Sequence, residues 1–245
     1  GWMYFISAWL SLFIINGIIT FMLTPGDWLQ TKDMWDGFFN PTFWPSLFFR
    51  SFLAFMLAGL FGFLTSTRIK EDEVRPAMVR YTALWVLLPF FLLLASGYWY
   101  IQALPAAQHA MITSISSQIP PAYKLFLAAT CAIFAGSLVL AYLRPAKAKQ
   151  GLAYVLVILG FLQIGSFEWM REAGRKPYLI HGYMYSNAVT AEQAKGFEGG
   201  QTSFLEAAMW AEHKHVSEHN LVAAGEELFL LQCSSCHSIG GPLND

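Results

Sequence analysis

The sequence predicts an all-α integral membrane protein, with about five transmembrane helices in a bundle and a C-terminal segment outside the membrane. The chain of 245 residues is 56% hydrophobic and only 13% charged. This composition is too apolar for a soluble globular domain of this length. Five stretches also reach the ~20 predominantly apolar residues that cross a bilayer. Residues 171–245 have a different and more polar composition, which indicates a segment in water.

The five predicted spans are residues 5–24, 43–65, 81–103, 124–143 and 151–170. Their charged residues are Arg50 inside the second, Lys124 at the edge of the fourth and Glu168 near the end of the fifth. The first stretch lacks the basic leading segment and small-residue cleavage site of a signal peptide, so we interpret it as a span. Because the chain opens at a glycine already at a span, we expect further material upstream or from another subunit.

The tail contains the sequence Cys233, Ser234, Ser235, Cys236 and His237. C-x-x-C-H is the spacing at which one haem is attached covalently. The two thiols form thioethers with the haem, and the histidine is the proximal iron ligand. A chance match or a redox dithiol is the alternative interpretation. With three cysteines in the whole chain, we interpret the motif as a haem c site with His237 on the metal.

The residues around this motif support the interpretation. Residues 224–232 are predicted to form a short helix that runs into the motif, and the glycines and proline of residues 238–242 end it. This context resembles the opening helix of class I cytochromes c. Such a domain usually needs further helices and a distal ligand after the motif. We therefore expect either that the domain continues beyond residue 245 or that the second iron ligand comes from elsewhere.

The orientation follows from two arguments. Haem is attached to C-x-x-C-H motifs on the outer side of an energy-conserving membrane, so an odd number of spans leaves the N-terminus inside. Residues 66–80 carry four basic residues and residues 144–150 carry three, and this placement puts both loops inside, as the positive-inside rule requires. Arg171, Arg175 and Lys176 are exceptions on the outer side. We expect a multi-pass protein of the bacterial inner membrane, with a cytoplasmic N-terminus and a periplasmic tail.

The chain divides into three predicted regions. Residues 1–170 form the transmembrane bundle, residues 171–220 form an external linker and helix, and residues 221–245 begin a cytochrome c domain. In the linker, Ser203 followed by Glu206 is typical of a helix N-terminus, and predicts a helix from Phe204 to about Asn220.

Two motifs in the bundle carry a family resemblance. One is residues 21–26, Phe-Met-Leu-Thr-Pro-Gly, followed by Phe39, Asn40 and Pro41; the other is residues 172–178, Glu-Ala-Gly-Arg-Lys-Pro-Tyr. Together with the order and sidedness of the spans, they resemble the later part of subunit I of the cytochrome bd quinol oxidases, over residues 1–180. The resemblance implies a helical membrane subunit of a respiratory oxidoreductase.

The departures from that family are equally informative. The family holds a low-spin haem b with a histidine and a methionine, and those positions fall near Phe49 or Arg50 and near Phe126 here. Neither a phenyl ring nor a guanidinium ligates iron, and none of the five predicted spans contains a histidine. The segment in the place of the family's quinol-binding loop, residues 104–123, is short. The resemblance therefore implies that the low-spin haem b and the quinol site are lost.

Glu172 lies where the family has a glutamate that ligates a high-spin haem b. The resemblance implies a metal-ligand role for Glu172, with a haem shared with a partner subunit and with Arg171, Arg175 and Lys176 on its propionates. The alternative is an interfacial salt bridge of Glu172 with Arg175 or Arg171. Glu168, one turn earlier, either relays protons or extends to water.

Other polar residues in apolar or helical contexts are weaker candidates. Arg50 must find an acidic partner or a propionate, or else snorkel to the interface, which we favour. In the predicted tail helix, Met209 with His213 and His215 with His219 would share a helical face, a spacing that suits a metal or a distal haem ligand. A solvated face is the favoured alternative. His181 and Met184 are similar candidates, and Cys131 is expected to be a small packing residue.

These inferences lead to one main functional hypothesis. We expect an electron-transfer subunit that passes electrons between an external haem c and haems in partner membrane subunits, with cytochrome c-type carriers as further partners and the lipid bilayer around the bundle. The alternatives are a structural membrane anchor for the haem c and a quinol dehydrogenase subunit. The formal net charge of −1 and the lack of a basic stripe or nucleic-acid motif give no indication of nucleic-acid binding.

Overall fold

The computed structural model describes residues 1–115, 119–200, 202–234 and 237–238. The chain is 73% helical, and five of its helices are long and apolar enough to span a membrane. They are Trp2–Leu23, Phe43–Ser66, Arg75–Gln102, Ile119–Leu143 and Gln150–Arg175. Five helices were predicted from the sequence, and the number is confirmed. The chain forms two compact units, Gly1–Arg175 and Lys176–Asp245.

The first unit is an up-and-down helical bundle. Its long helices are α1 (Trp2–Leu23), α4 (Phe43–Ser66), α5 (Arg75–Gln102), α7 (Ile119–Gly136) and α8 (Gln150–Arg175), and α7 continues in a π-helical segment, Ser137–Leu143. The most extensive packing is between α4 and α5 and between α7 and α8, and α8 also packs on α4. Because the connections are short, successive long helices run antiparallel.

Side-chain contacts between helices confirm which helix ends lie together. At one end, Arg80 at the start of α5 donates to the carbonyl of Tyr142 (3.1 Å), and Arg68 after α4 donates to Tyr154 on α8 (2.8 Å). At the other end, Gln108 donates to the carbonyl of Leu23, the last residue of α1 (2.9 Å). We call this second end the tail end, since α8 leads from it into the tail.

The tail end of the bundle is closed by short helices. These are α2 (Trp28–Thr31) and α3 (Met34–Phe38) between α1 and α4, and α6 (Ala106–Ala110) with a π-helical turn, Met111–Ile115, after α5. A short 3-10 turn, Pro145–Lys147, connects the last two spans at the other end.

A buried polar network fixes the connection between α1 and α4. Asn40 donates to Thr20 (2.9 Å) and accepts from Thr24 (2.9 Å) and Thr42 (3.1 Å). All four side chains are buried. Buried polar groups need such partners because their hydration is lost on folding. The segment that resembles the family's F-N-P landmark is therefore held in place by hydrogen bonds to α1.

The second unit begins with a β-hairpin that was not predicted from the sequence. Strands β1 (Tyr178–Ile180) and β2 (Met184–Tyr185) pair antiparallel, and the Tyr178 and Tyr185 rings stack with their centroids 4.7 Å apart. Gly182 in the turn has φ of 74°, in the left-handed region that favours glycine. Helix α9 (Ala191–Glu198) follows, with Thr190 and Gln193 in a capping box.

The predicted helix from Phe204 to Asn220 is wrong beyond its first turn. Ser203 and Glu206 form the expected capping box, but the helix α10 ends at Ala207, and Ala208 has an extended backbone (φ −70°, ψ 121°). In the segment that follows, side chains satisfy some of the backbone groups: Asn220 accepts from the amide of Ser217 (2.7 Å) and donates to the carbonyl of His215 (2.9 Å). The last helix, α11, is Leu221–Gln232.

Candidate functional site

The C-x-x-C-H motif begins where α11 ends. Cys233 is the C-terminal cap residue of the helix, and Ser234 donates its hydroxyl to the carbonyl of Leu230 (2.6 Å). The backbone N–H of His237 donates to the carbonyl of Cys233 (2.8 Å). Cys236 lies outside the described residues. The half-buried Cys233 and the exposed His237 imidazole suit a haem held at the surface of the tail.

One carboxylate fixes α11 to the segment before it. Glu227 accepts hydrogen bonds from the backbone N–H groups of Glu212 (2.6 Å) and His213 (2.8 Å), and its Oε2 lies 2.9 Å from Nδ1 of His213. The two backbone donors hold the pKa of Glu227 below its usual range. Leu205, Ala211 and Ala224 form a small apolar core beside this contact. The helix that carries the motif is therefore held in place by a charge-assisted clamp.

The metal site that was the weaker alternative for the tail histidines does not form among the described residues. Met209, His213, His215 and His219 lie in a segment that is not helical, so they share no helical face. His213 is bonded to Glu227, and His215 lies 3.5 Å from Glu206. Within the described residues, no group of three or more histidine, cysteine or acidic side chains is arranged to hold a metal ion.

His181 and Met184 lie on the hairpin rather than near the described part of the motif. His181 is in the turn, and Met184 pairs with Ile180 in the hairpin. Burial holds the pKa of His181 below its usual value. Its neutral form is therefore favoured.

The second candidate site is a chain of ion pairs at the tail end of the bundle. We call the five residues Arg50, Glu168, Arg171, Glu172 and Arg175 the ion-pair cluster. Arg50 on α4 pairs with Glu168 on α8, and Arg171 donates to the same carboxylate (2.9 Å). Arg175 donates to both oxygens of Glu172, and Arg171 lies 3.4 Å from Glu172. The acidic and basic groups alternate along the cluster.

The arginines of the cluster are more buried than the glutamates. The exposed fraction of the side chain is 10–12% for the three arginines, against 34% for Glu168 and 40% for Glu172. Two arginine nitrogens, Nη2 of Arg50 and Nη1 of Arg171, are buried without a hydrogen-bond partner among the described residues. Buried charges normally have all of their donors satisfied.

These contacts bear on three expectations from the sequence. Arg50 has an acidic partner, Glu168, which was one of the alternatives expected for it. Glu168 is paired twice rather than extended to water. For Glu172, the salt bridge with Arg175 and Arg171 is present, and a role on a haem iron stays a prediction. Arg171 and Arg175, two of the basic residues that the positive-inside rule did not explain, each pair with a carboxylate of the cluster.

Three phenyl rings fill the place where the family resemblance puts a low-spin haem b. The ring centroids of Phe49 and Phe167 are 4.5 Å apart, and those of Phe49 and Phe126 are 6.3 Å apart. All three side chains are buried. The Arg50 guanidinium lies 5.2 Å from the centre of the Phe167 ring. The space between α4, α7 and α8 is therefore occupied by aromatic packing and one cation–π contact.

Tyr100 is a buried residue that was not predicted from the sequence. Its side chain is only 6% exposed, whereas those of its neighbours Tyr98 and Trp99 are exposed. Its centroid lies 6.0 Å from that of Phe167. Tyr100 lies seven residues after the buried Leu93 and four after the buried Ser96, a helical spacing that places the three on one face of α5 and would have indicated that Tyr100 is buried. Cys131 was expected to pack in the interior and is exposed instead.

No family model, curated protein or solved structure matches the chain.

Proposed function

We propose that this chain is an electron-transfer subunit of a membrane-bound respiratory oxidoreductase, with a covalently attached haem c on its external tail. The observation that carries the proposal is the C-x-x-C-H motif at the end of α11, in a compact unit that follows a bundle of five apolar helices. A bilayer anchor joined to an external redox group is the arrangement that such a subunit needs.

The residues of the tail have defined roles in this proposal. Cys233 and Cys236 attach the porphyrin, and the exposed His237 imidazole supplies the proximal ligand. When bound, haem c supplies reversible one-electron transfer. Glu227 holds α11, and therefore the motif, in a fixed position relative to residues 212 and 213. A fixed helix keeps the distance to an electron partner constant.

The bundle serves this function as an anchor and as a surface for partner subunits. The packing of Phe49, Phe126 and Phe167 supports a bundle without a low-spin haem b of its own. Electrons then pass between the haem c and redox centres of partner subunits or a cytochrome c-type carrier. The tail lies in the periplasm in this proposal, and the bundle lies in a bacterial inner membrane.

Substitution of the cysteines tests the proposal. The chain is expressed in a bacterium with a haem-attachment system, purified, and examined by its alkaline pyridine haemochrome spectrum. We expect a haem c spectrum from the wild type and from the control Cys131→Ala, and none from Cys233→Ala/Cys236→Ala. Cys131 is a suitable control because it is an exposed cysteine outside the motif. Equal spectra from the double variant and the wild type would contradict haem attachment.

A second candidate function, a haem b shared with a partner subunit at Glu172, has one supporting observation. Glu172 is the most exposed member of the ion-pair cluster, and its carboxylate is therefore the one most accessible to a partner. The complex purified with its partner subunits would then show haem b in addition to haem c, and Glu172→Gln would reduce the haem b content. An unchanged haem b content in Glu172→Gln would remove this candidate.

A further inference from the structure

We infer that the ion-pair cluster, together with Tyr100, binds the phosphodiester group of an anionic phospholipid at the tail end of the bundle. The first observation is a set of buried donors without partners. Nη2 of Arg50, Nη1 of Arg171 and the hydroxyl of Tyr100 have no hydrogen-bond partner among the described residues. Such groups are costly to leave unsatisfied, since each loses its hydration and gains nothing in return.

The three donors lie in one region of the structure. Arg50 and Arg171 donate to the two oxygens of the same Glu168 carboxylate, so their guanidinium groups lie on either side of it. The Tyr100 ring and the Arg50 guanidinium both lie against Phe167, with centroid distances of 6.0 Å and 5.2 Å. Tyr100 also lies within electrostatic range of Arg50, Arg171 and Glu168.

The charge of the cluster specifies the charge of the ligand. Three arginines and two glutamates leave a net charge of +1. A positive charge at the edge of a bilayer favours an anionic ligand. A monovalent oxyanion neutralises it. Guanidinium groups also match the geometry of phosphate oxygens better than other basic side chains do.

The position of the cluster favours a lipid phosphate over an anion in solution. Tyr100 lies two residues before the end of α5, and Arg171 lies four residues before the end of α8. At about 1.5 Å per residue, both are within about 6 Å of the helix ends, where the headgroups of a bilayer lie. Glu168 and Glu172 form the exposed edge of the cluster, and we expect their rotation toward water to open the arginines to the headgroup.

Native mass spectrometry of the detergent-solubilised chain tests this site. Phosphatidylglycerol, phosphatidylcholine and inorganic phosphate are added separately at equal concentrations. We expect bound phosphatidylglycerol to exceed bound phosphatidylcholine, and inorganic phosphate to compete poorly. Equal retention of the two lipids would overturn the inference. Displacement of phosphatidylglycerol by an equal concentration of inorganic phosphate would show a site for a free anion and would overturn the lipid assignment.

Two variants and a matched control separate this site from general lipid binding. Arg171→Gln removes a charged donor, and we expect about tenfold weaker phosphatidylglycerol binding. Tyr100→Phe keeps every ion pair and removes one neutral donor, so we expect about fivefold weaker binding with unchanged thermal unfolding. Arg80→Gln changes an exposed arginine at the opposite end of the bundle, and we expect wild-type binding. Wild-type binding by Tyr100→Phe and Arg171→Gln together would contradict the site. The assay needs no haem, so its result is independent of the proposed function.

Discussion

Arg50 and Glu168 show how single residues stabilise the bundle. Arg50 lies seven residues after the first residue of α4, which places it about 10 Å along the helix. A charge at this depth needs a partner, and Glu168 on α8 supplies it. The pair therefore joins two helices that are far apart in the sequence.

Removal of one member of this pair should destabilise the bundle. Glu168→Gln leaves the guanidinium of Arg50 without its counter-charge, and we expect a loss of about 1–3 kcal/mol in the free energy of unfolding because Glu168 is only partly buried. The measurement is thermal unfolding in detergent, followed by circular dichroism. Glu73→Gln, in an exposed loop, is the control. The double variant Arg50→Gln/Glu168→Gln should recover part of the loss. Equal stability of Glu168→Gln and Glu73→Gln would refute the role of the pair.

Glu227 gives a second prediction at the residue scale, and this one depends on pH. Its pKa is lowered in the folded tail, so its stabilising effect is present above the ordinary value of 4.5 and is lost as the pH falls through the lower folded value. We expect Glu227→Gln to increase amide hydrogen exchange in α11 at pH 7. The control, Glu226→Gln, changes the exposed neighbouring residue. Acidification of the wild type below pH 4.5 should lower the protection of the same amides, expressed relative to the intrinsic exchange rate at each pH. Exchange rates that match those of Glu226→Gln at pH 7 would exclude the clamp.

At the scale of the elements, the most extensive helix packing in the bundle depends on a glycine. A Cβ atom at Gly59 on α4 would lie 2.9 Å from Val86 Cγ2 and 3.0 Å from the backbone oxygen of Thr82 on α5. Backbone atoms cannot move away as a flexible side chain can. The contact of α4 with α5, the most extensive in the structure, therefore requires glycine at this position.

Replacement of this glycine should separate the two helices. We expect Gly59→Ala to cost about 1–3 kcal/mol through overpacking, despite the better helix propensity of alanine. Gly165→Ala is the matched control, since a Cβ at Gly165 meets nothing within 4 Å, and it should be neutral or slightly stabilising. Thermal unfolding of the two variants in the same detergent measures the difference. A Gly59→Ala variant as stable as Gly165→Ala would mean that the helices are not in close contact there.

The elements also show where sequence reasoning succeeds and where it does not. The five long helices were predictable because an apolar stretch of sufficient length has few alternatives in a bilayer. The helix from Phe204 to Asn220 was predicted from its capping box alone, and that signal specifies only where a helix begins. The hairpin of Tyr178–Ile180 with Met184–Tyr185 was missed, since two strands of two or three residues give no reliable periodicity.

The candidate sites were only partly predictable for a related reason. The C-x-x-C-H motif is local in sequence, so the position of α11 before it could be predicted. Arg50 and Glu168 are 118 positions apart, and the residues around either one do not indicate that the two form a pair. The burial of Tyr100 could be predicted only with knowledge of which face of α5 packs inward. Long-range pairing is set by the packing of whole helices, which residue patterns do not specify.

At the scale of the whole molecule, the account predicts one orientation in the membrane. We expect trypsin added to intact spheroplasts to cut the tail at exposed lysines such as Lys195 and Lys214, and to leave residues 66–80 uncut. Inverted vesicles should show the opposite pattern. This expected orientation rests on the proposed external haem c and on the seven basic residues within residues 66–80 and 144–150. Cleavage within residues 66–80 in intact spheroplasts would reverse the assignment.

The intact mass of the purified, denatured chain tests the central claim most directly, because only a covalent group survives denaturation. We predict the mass of the polypeptide plus one haem for the wild type, and fragmentation that places the addition on the peptide containing Cys233 and Cys236. A denatured chain with the mass of the bare polypeptide, isolated from cells that attach haem to another c-type cytochrome, would contradict the account.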